Sequence, residues 1–127
     1  IYELIESNLN KYITGLSSIN IIFIAPLPEF KYYPYSCFLN KKYCYNNKID
    51  DLKRREKIVK IMEKLSKKYN HVYLFDSYNH ICPNVDECSM YNSLEDILYF
   101  KDRDHLTIQG SEFLSKTFDN WLKLNFH

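Results

Sequence analysis

Ile19-Asn20-Ile21-Ile22-Phe23-Ile24-Ala25 is the stretch on which the fold turns. Its large apolar side chains follow one another almost without interruption until Pro26 stops them. A strand with one wet face alternates apolar and polar residues. A continuous run marks a strand covered on both faces, as in parallel sheets flanked by helices. His71-Val72-Tyr73-Leu74-Phe75 reads as a second strand. Ahead of the first, Leu4, Ile5, Leu9, Ile13 and Leu16 recur at helical spacing, so residues 2–16 are expected to form an amphipathic helix. Gly15 and the pair Ser17-Ser18 end it. Between the strands a helix opens at Asp50 and Asp51 and runs to about Tyr69, with Asn70 as its stop. Carboxylates at its start and Lys67-Lys68 at its end match the helix dipole. Val59, Met62 and Leu65, flanked by Ile58 and Ile61, supply its buried stripe. A last helix presents Phe113, Leu114, Phe118, Trp121 and Leu122 on one side. Two long loops are expected, the Tyr-rich residues 26–49 and a second loop from Asp76 onward.

Helix, strand, helix, strand, helix is the order of a doubly wound sheet. Two doubly buried parallel strands, however, expose open edges and leave helix faces with too little sheet to cover. The expected fold class is therefore α/β, a three-layer doubly wound parallel sheet of which this chain holds only the C-terminal portion. Its 127 residues suffice for one core and hardly for two. An apolar share of 46% with 26% charged residues places the chain among soluble globular proteins. No apolar run is long enough to span a membrane, so any anchor is expected outside the chain. The first residue is Ile1 and no leader follows it, so the chain is expected to be a piece of a longer product. With a net charge of +1 and interleaved signs, nothing in the overall electrostatics argues for nucleic acid or for an anionic membrane surface. Heavy use of Tyr, Asn, Lys and Ile, with only 2 Gly, reads as the bias of an AT-rich genome rather than as function.

The chemistry lies in Tyr99-Phe100-Lys101-Asp102-Arg103-Asp104-His105-Leu106-Thr107-Ile108-Gln109-Gly110. A histidine that takes a proton at neutral pH needs a partner on its other ring nitrogen, to fix the tautomer and stabilise the imidazolium. Asp102, three positions before His105, can reach that nitrogen in a tight turn, and Thr107 can cap the helix that follows. Asp104 points elsewhere if residues 102–105 make such a turn, and reads as a surface charge. The bland reading of the pair is an ion pair capping the last helix.

This turn resembles the final Asp-x-x-His motif of the SGNH hydrolase family. The longer form, Tyr-x-x-Asp-x-Asp-His-Leu-Thr-x-x-Gly, most resembles extracytoplasmic SGNH domains fused to membrane O-acyltransferases, which help transfer acyl groups to cell-surface polysaccharides. The resemblance covers nearly the whole chain, with Ile22-Phe23-Ile24-Ala25-Pro26-Leu27-Pro28 in the place of the strand and Pro-containing loop after the third motif block. It implies an SGNH/flavodoxin-like fold, with residues 1–127 as the C-terminal portion of a single domain. His105 carries over as general base and Asp102 as its orienter. The family's Gly-Asp-Ser nucleophile block and its Gly and Asn oxyanion blocks are not recognisable here and are expected upstream. Phe75-Asp76-Ser77 is a tempting stand-in, but a bulky Phe replaces the Gly and the middle blocks cannot fit between Ser77 and His105. Ser77 is read as a loop residue.

The implied function is O-acetyl transfer to hydroxyls of a cell-envelope polysaccharide through a Ser-His-Asp triad, without metal or diffusible cofactor. The implied partners are an acyl donor, a glycan acceptor and a membrane acyltransferase domain in the same polypeptide, at the periplasmic or extracellular face. This chain by itself is expected to be inactive. Two rivals stand beside that reading: an SGNH esterase that removes acetyl groups from glycans, and a non-catalytic, disulfide-stapled glycan-binding module.

The four cysteines, Cys37, Cys44, Cys82 and Cys88, fall inside the two loops and lack the tight spacing of zinc sites. Four cysteines allow three pairings. Loops without strand hydrogen bonds gain most from staples, which favours the local bridges Cys37–Cys44 and Cys82–Cys88, and bridges imply an oxidising compartment. The aromatic run Phe30 to Tyr35, with Tyr43 and Tyr45, either packs over the domain edge or stacks on sugar rings. No residue is singled out for substrate binding. His71, His80 and His127 have no motif around them and read as structural or solvent-exposed.

Overall fold

Helical spacing and apolar runs become regular elements in the computed structural model, which describes residues 1–126. In chain order they are α1 (Tyr2–Gly15), β1 (Ile21–Ile24), α2 (Pro34–Leu39), a 3-10 turn (Lys41–Cys44), β2 (Tyr45–Asn47), α3 (Lys48–Lys68) and β3 (Val72–Phe75). There follow α4 (Tyr78–Ile81), β4 (Glu87–Ser89), β5 (Tyr91–Asn92), β6 (Ile97–Leu98) and α5 (Ile108–Asn125). The chain divides into two compact units, Ile1–Pro26 with Lys53–Asp76, and Leu27–Leu52 with the chain from Ser77 onward.

The first unit holds the two strands expected from sequence. β1 and β3 pair in parallel, Ile21 opposite Val72 through Ile24 opposite Phe75. Ile21 N donates to His71 O at 2.8 Å and Ala25 N to Phe75 O at 2.9 Å, extending the ladder at both ends. Ile13 from α1, Ile61 and Leu65 from α3, and Val72 from β3 form its core, with Leu9, Ile21, Phe23 and Tyr69 packed against them. Full burial of each large aliphatic is worth about 1.5–3 kcal/mol. Asn10 Oδ1 ties α1 to the end of α3 by accepting from Tyr69 Oη at 2.6 Å and Lys68 Nζ at 2.8 Å.

Two expectations change here. β1 is not covered on both faces: Ile21 to Phe23 are half-buried and Ile24 is 59% exposed. The reason is that β1 has a single strand neighbour, and among the described residues the parallel ladder stops at two strands. The two parallel strands expected of a C-terminal portion are present, and the described residues do not by themselves complete a three-layer doubly wound sheet. Parallel pairing between helices is present, and every other ladder is a two-stranded antiparallel pair. The buried stripe of α3 also differs. Ile61 and Leu65 are buried while Val59 and Met62 are only half-buried, and Arg55, 4% exposed, continues the stripe toward the N-terminus. Arg55 Nη2 meets Asp76 Oδ1 at 2.8 Å, just past β3, so the buried cation faces a carboxylate at the strand's end.

Apart from the expected last helix, α5, the second unit is built largely from what read as loops. β2 and β4 pair antiparallel, Tyr45 opposite Ser89 and Asn47 opposite Glu87, and β5 pairs with β6 through Tyr91–Leu98 and Asn92–Ile97. Strands of two or three residues carry no periodicity, and β2 and β4 pair at separations of 40 residues or more. The core gathers Phe30, Cys44, Tyr78, Ile81, Cys82, Cys88, Met90, Tyr99 and Phe100. Disulfides join Cys37 to Cys44 and Cys82 to Cys88, and no free cysteine is left. Asn47 Oδ1 accepts from Asp50 N at 3.2 Å, and α3 begins two residues earlier than its carboxylates indicate. Asp51 is buried and accepts from the Tyr78 hydroxyl at 2.9 Å.

Candidate active site

The start of α5 fixes the turn before it. Thr107 is the N-cap, and its Oγ1 accepts from Gly110 N at 2.9 Å. The same hydroxyl donates to Leu98 O at 2.5 Å, while Thr107 N donates to Tyr99 O at 2.9 Å. Phe100 and Leu106 form an antiparallel bridge, and Lys101 N donates to His105 O at 2.9 Å. Residues 99–107 are thus a small hairpin closed against the first turn of its own helix. Gly110 makes the closure possible: a Cβ there would lie 2.2 Å from Tyr99 O, far inside contact distance. No other residue fits without moving the helix away from the hairpin.

Arg103 anchors the tip of this hairpin. Its carbonyl accepts from Phe30 N at 2.7 Å and its Nε donates to Phe30 O at 2.8 Å, while Nη2 lies 3.4 Å from Glu29 Oε1. Phe30 in turn is fully buried against Phe100, with ring centroids 5.0 Å apart. The sequence reading overlooked this anchor because Arg103 occupies an unspecified position of the motif.

At the tip, one carboxylate does two things. Asp102 Oδ1 accepts from His105 N at 2.8 Å and from Asp104 N at 3.1 Å, which folds the turn. Its Oδ1 and Oδ2 also lie 3.1 and 3.0 Å from His105 Nδ1. The His105 amide, then the Asp104 amide, hold the Asp102 pKa down from 3.8 to about 2, and the His105 ring adds to the effect. Asp102 is therefore an anion at any physiological pH. With Nδ1 donating to it, Nε2 is the ring atom left to accept a proton.

Asp104 requires a correction. It does not point elsewhere: its Oδ1 lies 3.2 Å from His105 Nδ1, so two carboxylates converge on one ring nitrogen. In a turn this tight, consecutive side chains at 104 and 105 leave on the same side. The ring is 69% exposed, so water screens both contacts. Asp102, Asp104 and His105 keep their donor atoms within 4.8 Å of one another, a set that suits a cation in number and type. Nδ1 would have to surrender its proton, and with it the contact to Asp102, to serve as a ligand. A shallow groove of about 590 Å³ begins at Leu106 and runs along α5 past Ser111, Glu112, Ser115 and Lys116.

Of the other residues singled out from sequence, Ser77 is 2% exposed and sits at the head of α4, its carbonyl accepting from His80 N and Ile81 N. Its burial is the opposite of what a nucleophile needs. His71 Nε2 lies 3.4 Å from Ile13 O, within the first unit, and His80 is exposed in the last turn of α4. His127 lies outside the described residues. Cys82 and Cys88 are fully buried, so their bridge is part of a core rather than a surface staple.

A family model described as "SGNH domain (fused to AT3 domains)" matches residues 2–120. No curated protein and no solved structure matches the chain.

Proposed function

The chain belongs to the family of SGNH domains fused to AT3 domains, and on that premise we propose that residues 99–110 carry the histidine and aspartate of an acyl-transfer site. The observation that carries the proposal is the contact of His105 Nδ1 with an Asp102 carboxylate that two backbone amides keep ionised. In this reading Nε2 of His105 takes the proton from a serine hydroxyl as it attacks an acyl donor, and returns a proton to the leaving group. Asp102 holds the tautomer and stabilises the imidazolium in between. The serine and the oxyanion donors come from the part of a three-layer SGNH domain upstream of residue 1, and the acyl group is an acetyl passed to a hydroxyl of a cell-envelope glycan. Two features support an extracytoplasmic, membrane-associated setting, namely the fusion to AT3 domains that marks the family and the two disulfides.

An esterase uses the same triad with water as the acceptor. The 69% exposure of the His105 ring favours keeping that alternative, since water reaches it freely. Aryl-acetate turnover by the chain extended upstream through its serine block tests the site itself. Addition of a hydroxylated glycan then separates transfer from hydrolysis by product. Activity in the extended form, absent from residues 1–127 and silenced by His105→Ala, is the expected result. Equal activity in the short chain, stopped by Ser77→Ala, would assign the nucleophile to Ser77 and overturn the proposal.

A further inference from the structure

Between Glu29 and Asp50 the chain carries Lys31, Lys41, Lys42 and Lys48 and no carboxylate. Lys48 is engaged, donating to Cys82 O and Asn84 O at 2.8 Å each. The other three are exposed, and two are positioned by aromatic rings. Lys31 Nζ lies 5.4 Å from the Tyr32 ring centre and Lys42 Nζ 5.1 Å from that of Tyr43, with the two rings 4.4 Å apart. Next to this basic cluster is an apolar tip, the end of α2, where Phe38 is 83% exposed and Leu39 82%, with Tyr33 and Tyr35 exposed beside them. Isolated exposed apolar residues are ordinary, but four within seven residues ringed by cations are not.

The tip is also held in place. The Cys37–Cys44 bridge closes it, Asn40 Oδ1 accepts from Lys42 N at 3.1 Å, and Asn46 pins its base. Asn46 Nδ2 donates to Glu29 O at 2.6 Å, and its Oδ1 accepts from Lys31 N at 3.2 Å. Glu29, the nearest preceding carboxylate, lies against Arg103, which leaves the lysines as the local charge.

We propose that residues 31–43 form a membrane-docking tip that seats Phe38 and Leu39 in the interface of a bilayer with anionic headgroups. Apolar side chains at a rigid tip enter the acyl boundary, tyrosines sit at headgroup level, and lysines reach to the phosphates. A sugar ligand fits the same surface less well. Tyr33 and Tyr35 stack on each other, and Tyr32 and Tyr43 meet each other and the lysines, so one face of each ring is already engaged. What projects is an aliphatic and aromatic pair with no hydrogen-bonding groups. The proposal is independent of acyl transfer, since His105→Ala leaves this surface untouched.

The test is co-sedimentation of the chain with phosphatidylcholine vesicles, with and without phosphatidylglycerol, at low and high salt. Binding to the anionic vesicles that weakens with salt is expected. Phe38→Ser with Leu39→Ser should weaken it by about tenfold or more. Each of Lys41→Gln and Lys42→Gln should weaken it about fivefold on anionic vesicles alone. These side chains are exposed, so circular dichroism of every variant should match the parent. Failure of the parent chain to bind would overturn the proposal, as would equal binding by the variants. Preference for soluble polygalacturonate over vesicles would overturn it in favour of a glycan site. Hydrogen exchange on the AT3-fused protein gives a second readout. Protection of residues 33–42 only with vesicles supports the tip, and protection without them would assign it to an intramolecular partner.

Discussion

The two units reach stability by opposite means. The first uses long local helices and a four-residue parallel ladder, with a core of Ile13, Ile61, Leu65 and Val72 and no covalent cross-link. The second has α5 but only strands of two or three residues, and adds two disulfides, a core of nine buried residues and side chains that close the backbone on itself. Where ladders are short, polar side chains satisfy amides that a longer ladder would have satisfied, and covalent bridges restrict the chain. The site sits in the second kind of region, where a short turn holds two side chains in register without a long strand beneath them.

The largest expected effect falls on that turn. In the serine-bearing form, His105→Ala should lower turnover by about 10,000-fold or more while leaving the thermal midpoint unchanged, because the ring is exposed. Asp102→Ala should lower activity and also loosen the turn, seen as faster exchange of the 104 and 105 amides. If both variants behave alike in exchange, the comparison between chemical and structural roles at the tip fails.

The chain's two glycines, one in each unit, sharpen the comparison. Gly110→Ala places a Cβ 2.2 Å from Tyr99 O and should cost about 3 kcal/mol in a denaturant melt. Gly15, at the end of α1, has nothing within 4 Å of its built Cβ and no positive φ, so Gly15→Ala should stabilise by up to about 1 kcal/mol. Opposite signs at the two positions are the expected result, and equal signs would contradict the contrast in packing. Between them in size, loss of Cys82–Cys88 by paired Ala substitution should cost about 2 kcal/mol for a loop this short. Hydrogen exchange should show the loss in the second unit and leave the β1–β3 ladder protected.

This contrast also explains what was legible in the sequence. α1, α3, β1 and β3, and the start of α5, emerged from periodicity, apolar runs and the Thr107 cap to within two residues or so, because local spacing dictates them. The Thr107 cap and the proximity of Asp102 to His105 were legible for the same reason, being contacts three residues apart. β2, β4, β5 and β6 were not, since two or three residues show no alternation, and β2 and β4 are in addition set by partners far along the chain. Nor was the Arg103 clamp on Phe30, which spans 73 residues. The limited cover of β1 escaped too, because an apolar run reports a preference for burial and not the number of neighbours available.

The smallest effect is a titration. Asp102 is ionised in the folded turn down to about pH 2, below the 3.8 of a free side chain, so its support of the turn is complete above the free value and lost as pH falls through about 2. A carboxyl carbon titration by NMR should place its midpoint near 2. A midpoint near 3.8 would mean that the amides do not donate to it. It follows that Asp102 should not set the acid limb of any activity profile.

The double duty of Asp102 bears on how descendants of this chain should be read. Under the proposed role, a lineage without the chemistry would shed His105 at little structural cost, since its ring is exposed and its ion-pair contacts are to Asp102 and Asp104. It would keep the aspartate, whose carboxylate folds the turn whether or not a base stands beside it. Under the proposed role, a retained aspartate at this position is therefore weaker testimony for activity than a retained histidine.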